Sequence, residues 1–245
     1  MEYQFSKDFL WGAACSGPQS EGSFPGDGKA EMEWDYWFKQ VPEQFFDGVG
    51  PSVTSDFYHK YKEYAKLMKE IGMNSYRTSI QWSRIFKDRE GTVNEEGVTF
   101  YQAVIDEFLS QGIEPVLCLH HFDMPMYWME KGGFENRETA EGFAAFAAKC
   151  FELFGGKVKR WITFNEPIVI AEGGYIYKRH YPAVCDAKKA ALVGYHIQLA
   201  SSMAVREFRK SGREGSIGIV LNLTPTYCKE PDNEEDRRSA EIADL

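Results

Sequence analysis

The chain has 245 residues, 43% hydrophobic and 15% aromatic, enough for a sizeable core in a single domain spanning residues 1–245. Its 28 Lys+Arg against 37 Asp+Glu leave a net charge of −9, which argues against nucleic acid or an anionic membrane surface as partner. Five cysteines, odd in number and without a C-x-x-C pair, argue against a disulfide framework or a zinc site and favour buried, inert thiols. The opening "MEYQFSKDFLWGAA" lacks the basic start and long apolar run of a secretory leader. No apolar stretch approaches the ~20 residues of a membrane-spanning helix. A cytoplasmic protein is expected.

In chain order, "FLWGAA" (9–14) reads as a short buried strand, followed by a Gly-rich, aromatic-rich loop over about 17–51. Phe57, Tyr61, Tyr64, Leu67, Met68 and Ile71 recur at helical spacing, with Thr54 or Ser55 as N-cap and Gly72 in the C-cap position. "MNSYRTSI" reads as a strand and 94–111 as a helix closed by Gly112. "IEPVLCLHH", then "NRETAEGFAAFAAKCFELFG", repeat the pairing. "VKRWITFNE" is a strand followed by a mostly helical 183–210, and "SIGIVLNLT" a fifth strand before the helix that begins in "DNEEDRRSAEIADL". Strict alternation predicts right-handed crossovers and a parallel sheet, either doubly wound or a (β/α)₈ barrel.

No G-x-G-x-x-G follows the first strand and no Walker-type glycine loop occurs, which weakens the nucleotide-binding folds. Polar residues gather instead at successive strand ends: Gln19, Arg77, His121, Asn165 and Glu166. Contributions from several strand ends to one site are the habit of a barrel. The prediction is a (β/α)₈ TIM-barrel type, here an incomplete barrel of about five β/α units.

"FLWGAA…Q-x-E-G", "RTSIQWSRI", "LHHFDMP" and "TFNEP", in this order and spacing, resemble glycoside hydrolase family 1, the retaining β-glycosidases. The resemblance covers the whole chain. It implies that Glu166 is the acid/base, that Gln19, His121 and Asn165 bind the sugar, and that Arg77 supports the nucleophile. Phe122 stands where many relatives have tryptophan. Retaining hydrolysis needs two carboxyl groups about 5–5.5 Å apart, one of them protonated near neutral pH by desolvation and a neighbouring carboxylate. An amide such as Asn165 suits a sugar 2-hydroxyl, while Gln19 and His121 offer donors and acceptors to others. Gln19, His121, Asn165 and Glu166 are therefore expected to face one cavity at the C-terminal ends of adjacent strands.

Each residue also has a plainer reading. Glu166 could be a solvated loop acid, Arg77 half of a buried ion pair, and His121 a core histidine. Adjacent histidines leave a strand in opposite directions, which weakens a metal site there; no metal or other cofactor is expected. The aromatics Trp34, Tyr36, Trp37, Phe38, Phe45 and Phe46 are expected to pack the loop rather than stack on sugar.

The resemblance places the nucleophile in a T/S-E-N-G motif ending a seventh strand. Glu135-Asn136, in "GFENRE", lacks the glycine and precedes a helix, so Glu166 has no partner in these 245 residues. A fragment of a hydrolase, inactive alone, is expected. The alternatives are assembly with a second polypeptide and a non-catalytic sugar-binding or interaction module. The unpaired first and fifth strands also make self-association an expectation. Within the family, "HFDMPM", "EKGGFENRE" and "FNEPIVIAEGGYIYKRHYP" look most like the bacterial 6-phospho-β-glucosidases, which implies a phosphorylated β-glucoside as substrate. The phosphate-gripping residues would lie beyond Leu245, and β-glucosides or β-galactosides without phosphate remain the alternative.

Overall fold

A computed structural model describes residues 3–24 and 26–244. Five parallel strands, β1 (Gly12–Ala14), β2 (Ser75–Ser79), β3 (Glu114–His120), β4 (Arg160–Asn165) and β5 (Ser216–Val220), lie side by side in sequence order. Arg77 pairs in register with Ala14 and Val116, and His120 with Phe164. A doubly wound sheet reverses its strand order at a switch point. This sheet does not reverse, and it is the incomplete barrel that the strand-end polar residues predict.

Between and after the strands run α1 (Gly17–Ser20), α2 (Glu33–Gln40), α3 (Phe57–Glu70), α4 (Trp82–Ile85), α5 (Glu95–Ser110) and α6 (Met126–Met129). The series continues with α7 (Arg137–Phe154), α8 (Pro167–Tyr175), α9 (Ala187–Lys210) and α10 (Glu234–Ala243). Local signals account for most boundaries. Gly72 and Gly112 take positive φ just past α3 and α5, where a Cβ would be strained. The Asp186 side chain accepts from the amides of Lys188 and Lys189 to start α9, and Asn233 does the same for α10. Phe143, Phe146, Phe151 and Phe154 of α7 pack with Phe108 of α5 and with Trp161 and Phe164 of β4 in one aromatic-rich core.

Four expectations need correction. The stretch 17–51 is not a plain loop: α1, α2 and two 3₁₀ turns, Pro42–Gln44 and Phe46–Gly48, lie within it. The N-cap of α3 is Asp56, not Thr54 or Ser55, because Thr54 and Asp56 both adopt positive φ and delay the helix. β1 is exposed along its length, not buried, since an edge strand keeps only one neighbour to cover it. All five cysteines are free, but only Cys118 and Cys150 are buried; Cys185 is exposed.

What locks the N-terminal segment onto the sheet is a buried cluster of charges. Arg84 of α4, 0% exposed, donates to Glu21 at 2.9 Å, to Asp27 at 2.8 Å and to the Gly22 carbonyl at 3.0 Å. Its guanidinium lies 4.6 Å from the Tyr58 ring. Tyr101 and Gln81 donate to the same Glu21 carboxylate. Burial pushes the Asp27 carboxyl up, but the Lys29 amide and Arg84 outweigh it and hold it below the usual carboxylate range. A buried pair of this kind is destabilising chiefly when one partner is removed. Arg84→Met should therefore lower unfolding stability by about 3–5 kcal/mol, read by urea denaturation. A loss below about 1 kcal/mol, the level of a surface ion pair, would show that the cluster is dispensable.

Candidate active site

The ends of β3 and β4, Arg77 in the middle of β2 and the short helix α1 supply the predicted site residues. Gln19 arrives on α1, which the Gly17 amide pins to the Ser79 hydroxyl at 2.8 Å. A Cβ on Gly17 would come within 2.4 Å of the Gln81 side chain, so only glycine lets α1 sit this low. At the end of β3, His121 and Phe122 turn on the Asp123 carboxylate, which accepts from the amides of His121 and Trp82, both at 2.9 Å. Phe122 itself has φ +59. Burial raises Asp123 to about 7 against the pull of those two amides.

The two histidines part company as expected. His120 packs among Phe134, Phe143 and Phe164, whereas His121 turns to Arg77. Arg77 Nη2 lies 3.2 Å from His121 Nδ1 and 2.5 Å from Asn165 Oδ1. A guanidinium only donates. Nδ1 must therefore accept, which puts the imidazole proton on Nε2, and Asn165 is left with its NH₂ as a free donor. Burial and the Arg77 charge lower His121 to about 4, so the ring is neutral at physiological pH. Among the described residues Arg77 is thus no half of an ion pair: its charge rests on two neutral partners.

Asn165 closes β4, and Glu166 is the N-cap of α8. Its φ of +47 is a left-handed conformation that a side chain rarely adopts, and Pro167 in the first turn presets the helix that follows. The Glu166 amide donates to the Val220 carbonyl at 2.8 Å, tying the turn to β5. Among the described residues its carboxylate has no hydrogen-bond or ion-pair partner. The strand stops here because the peptide must turn sharply.

A cleft of about 570 Å³, within the usual range of small-molecule sites, opens over these elements. Gln19 and His121 line it, with Val169 of α8 one turn beyond Glu166. Asn165 and Glu166 are not among the lining residues; Asn165 joins the site through Arg77. One wall is aromatic. Trp34 and Phe122 each meet the His180 ring edge-on, at 5.1 and 5.3 Å, and Phe45 adds to them. Within the loop Trp34 packs on Trp37 at 5.3 Å and Phe45 on Phe38 at 5.1 Å, as expected; the same two rings also line the cleft, while Phe46 is exposed to solvent. His180 had no sequence signal of its own: it reaches the wall through the segment after α8. Glu135 lies on a 3₁₀ turn, paired with Lys189 at 2.9 Å and outside the cleft lining.

Known proteins resemble the chain over nearly its whole length. The sequence profile described as "Glycosyl hydrolase family 1" matches residues 1–244. The chain is 49% identical over 243 residues to "6-phospho-beta-glucosidase GmuD" of Bacillus subtilis, covering 99% of itself and 52% of that protein. It is 38% identical to "Beta-glucosidase A" of Acetivibrio thermocellus, covering 98% of itself and 53% of the relative. A solved beta-glucosidase from Thermotoga maritima in complex with castanospermine superposes with a TM-score of 0.90 at 37% identity, over 97% of this chain and 53% of that one. The chain spans about half the length of the relatives it matches. With a profile match over nearly all its residues and a barrel-type sheet in common, the chain belongs to glycosyl hydrolase family 1.

Proposed function

We propose that residues 1–245 are one domain, the N-terminal portion of a retaining β-glycosidase barrel, with Glu166 as general acid/base. The carrying observation is the contact of Arg77 with both His121 and Asn165, directly before Glu166 and beside a sugar-sized cleft. Neutral His121, with its Nε2 proton, and the exposed Gln19 amide supply hydrogen bonds to ring hydroxyls. The free NH₂ of Asn165 suits the 2-hydroxyl, a contact that strengthens in the transition state. Glu166 gives its proton to the leaving oxygen and later takes one from water. The attacking carboxylate comes from the half of the barrel that relatives have and this chain does not span. Arg77, whose charge has only neutral partners here, supports that anion. The aromatic wall receives the leaving group.

The substrate we infer is a 6-phospho-β-glucoside, in the cytoplasm of a bacterium; the 49% identity to a 6-phospho-beta-glucosidase supports it. One observation favours the unphosphorylated alternative: the cleft lining includes no lysine or arginine to grip a phosphate. Phosphate recognition then rests on residues beyond this chain, where charge-assisted hydrogen bonds outweigh a distant net charge of −9. Among the described residues no helix is long and apolar enough to cross a membrane.

The 245-residue chain alone should not turn over 4-nitrophenyl β-glucoside, with or without a 6-phosphate. Robust turnover abolished in Glu166→Gln would mean that this chain already holds a second reactive carboxylate. In the full-length protein, Glu166→Gln should slow substrates with poor leaving groups by about 10²–10⁴-fold, and activated ones far less. There, kcat/KM should favour the 6-phosphate; equal values or a preference for the plain sugar would reject the phosphate and leave the glycosidase reading standing. We also propose that the chain associates with itself through the open edges of β1 and β5. Light scattering should then give a mass above one chain that rises with concentration, and a constant single-chain mass would refute it.

A further inference from the structure

Behind the aromatic wall, α2 and the end of β3 enclose a second cavity, of about 20 Å³. Glu33, His120, Tyr175 and Tyr181 bring polar groups to it, among apolar side chains such as Met124 and Ile170. His120 is only 1% exposed, and among the described residues neither of its ring nitrogens has a hydrogen-bond partner on the protein. An unpaired buried polar atom costs about 1–3 kcal/mol, so two on one ring call for an explanation.

The chemistry of Glu33 and His120, which both line the cavity, narrows what it can take. Burial lowers His120 to about 3, so the ring is neutral and carries one N–H and one lone pair. Burial, with the Asp123 carboxylate, pushes Glu33 up to about 8. Its carboxyl therefore keeps its proton at neutral pH and has an O–H to donate. Two uncharged groups do not attract an ion. The volume is too small for any sugar group, yet it exceeds the roughly 10–15 Å³ that one water needs. A water can accept from the acid and donate to the imidazole lone pair, with tyrosine hydroxyls as further partners.

We propose that this cavity binds one buried water molecule, which bridges the Glu33 carboxyl and the His120 ring. The bridge joins residues that adjoin the cleft: Glu33 precedes Trp34, and His120 precedes His121. It adds to two backbone bonds between the same segments, from the Glu33 amide to the Met124 carbonyl and from the Met126 amide to the Glu31 carbonyl, each 2.9 Å. The water thereby couples the aromatic wall to the sugar-binding histidine.

The test is a high-resolution crystal structure of the chain, with water–protein NOE spectroscopy on the same protein. A single water should lie within about 3.2 Å of both a His120 nitrogen and a Glu33 oxygen. A long-lived water cross-peak to the His120 ring protons should accompany it. Glu33→Gln keeps a hydrogen-bonding group and should keep the cross-peak, whereas Glu33→Met, of similar length and apolar, should lose it. An empty cavity, a direct bond between His120 and Glu33, or a cross-peak unchanged in Glu33→Met would each overturn the proposal. If Glu33→Met does not fold, the wild-type structure decides alone.

Discussion

Arg84 is the pivot of this structure. A guanidinium with no exposed surface can exist only if its charge and donors are met, and the groups that meet them come from the N-terminal segment: Glu21, Asp27 and the Gly22 carbonyl. The same segment carries Gln19 just before the cluster and leads into α2, with Trp34, just after it. Two sides of the cleft are therefore set by an interaction that never touches the cleft. Replacing the cluster with apolar side chains could preserve stability, as other buried ion pairs show, but would surrender the directional bonds that fix this segment in one place.

The second arginine works in the opposite electrostatic setting. Arg84 is neutralised by two carboxylates, whereas Arg77 shares one Nη2 between an imidazole and an amide and keeps its Nε unpaired. Its charge orients both neighbours, assigning the His121 tautomer and taking up the Asn165 carbonyl oxygen so that the NH₂ remains a donor. A positive charge held by neutral partners also favours an anion placed nearby. The proposed role of Arg77 beside an attacking carboxylate rests on that asymmetry.

Incompleteness is written in the exposure of the sheet. β2, β3 and β4 have a strand on both sides and bury most of their residues, while β1 is exposed throughout and β5 only half covered. Phe5, Phe9 and Trp11 cluster beside β1 with ring centroids 4.6–4.8 Å apart, yet each remains at least 40% exposed. Leu221 and Leu223 are left open beyond β5. Apolar side chains suited to an interior lie at both open margins of the sheet.

The sequence by itself determined the alternation of strands and helices, because those signals are local. Helical spacing before Gly72 and Gly112, β-branched runs, and Pro167 after Glu166 act within a few residues. It also singled out Gln19, Arg77, His121, Asn165 and Glu166, whose motifs are short and contiguous. Only the tertiary structure decided the rest. Trp34 and Phe45 became cleft wall because His180, far along the chain, packs against Trp34. β1 lost its predicted burial because burial depends on neighbours that periodicity cannot count. Glu33 carries no motif, and its meeting with His120 in one cavity arises only where α2 closes over the end of β3. Local propensities act through the chain, whereas burial, charge shifts and cavity walls depend on contacts between distant residues.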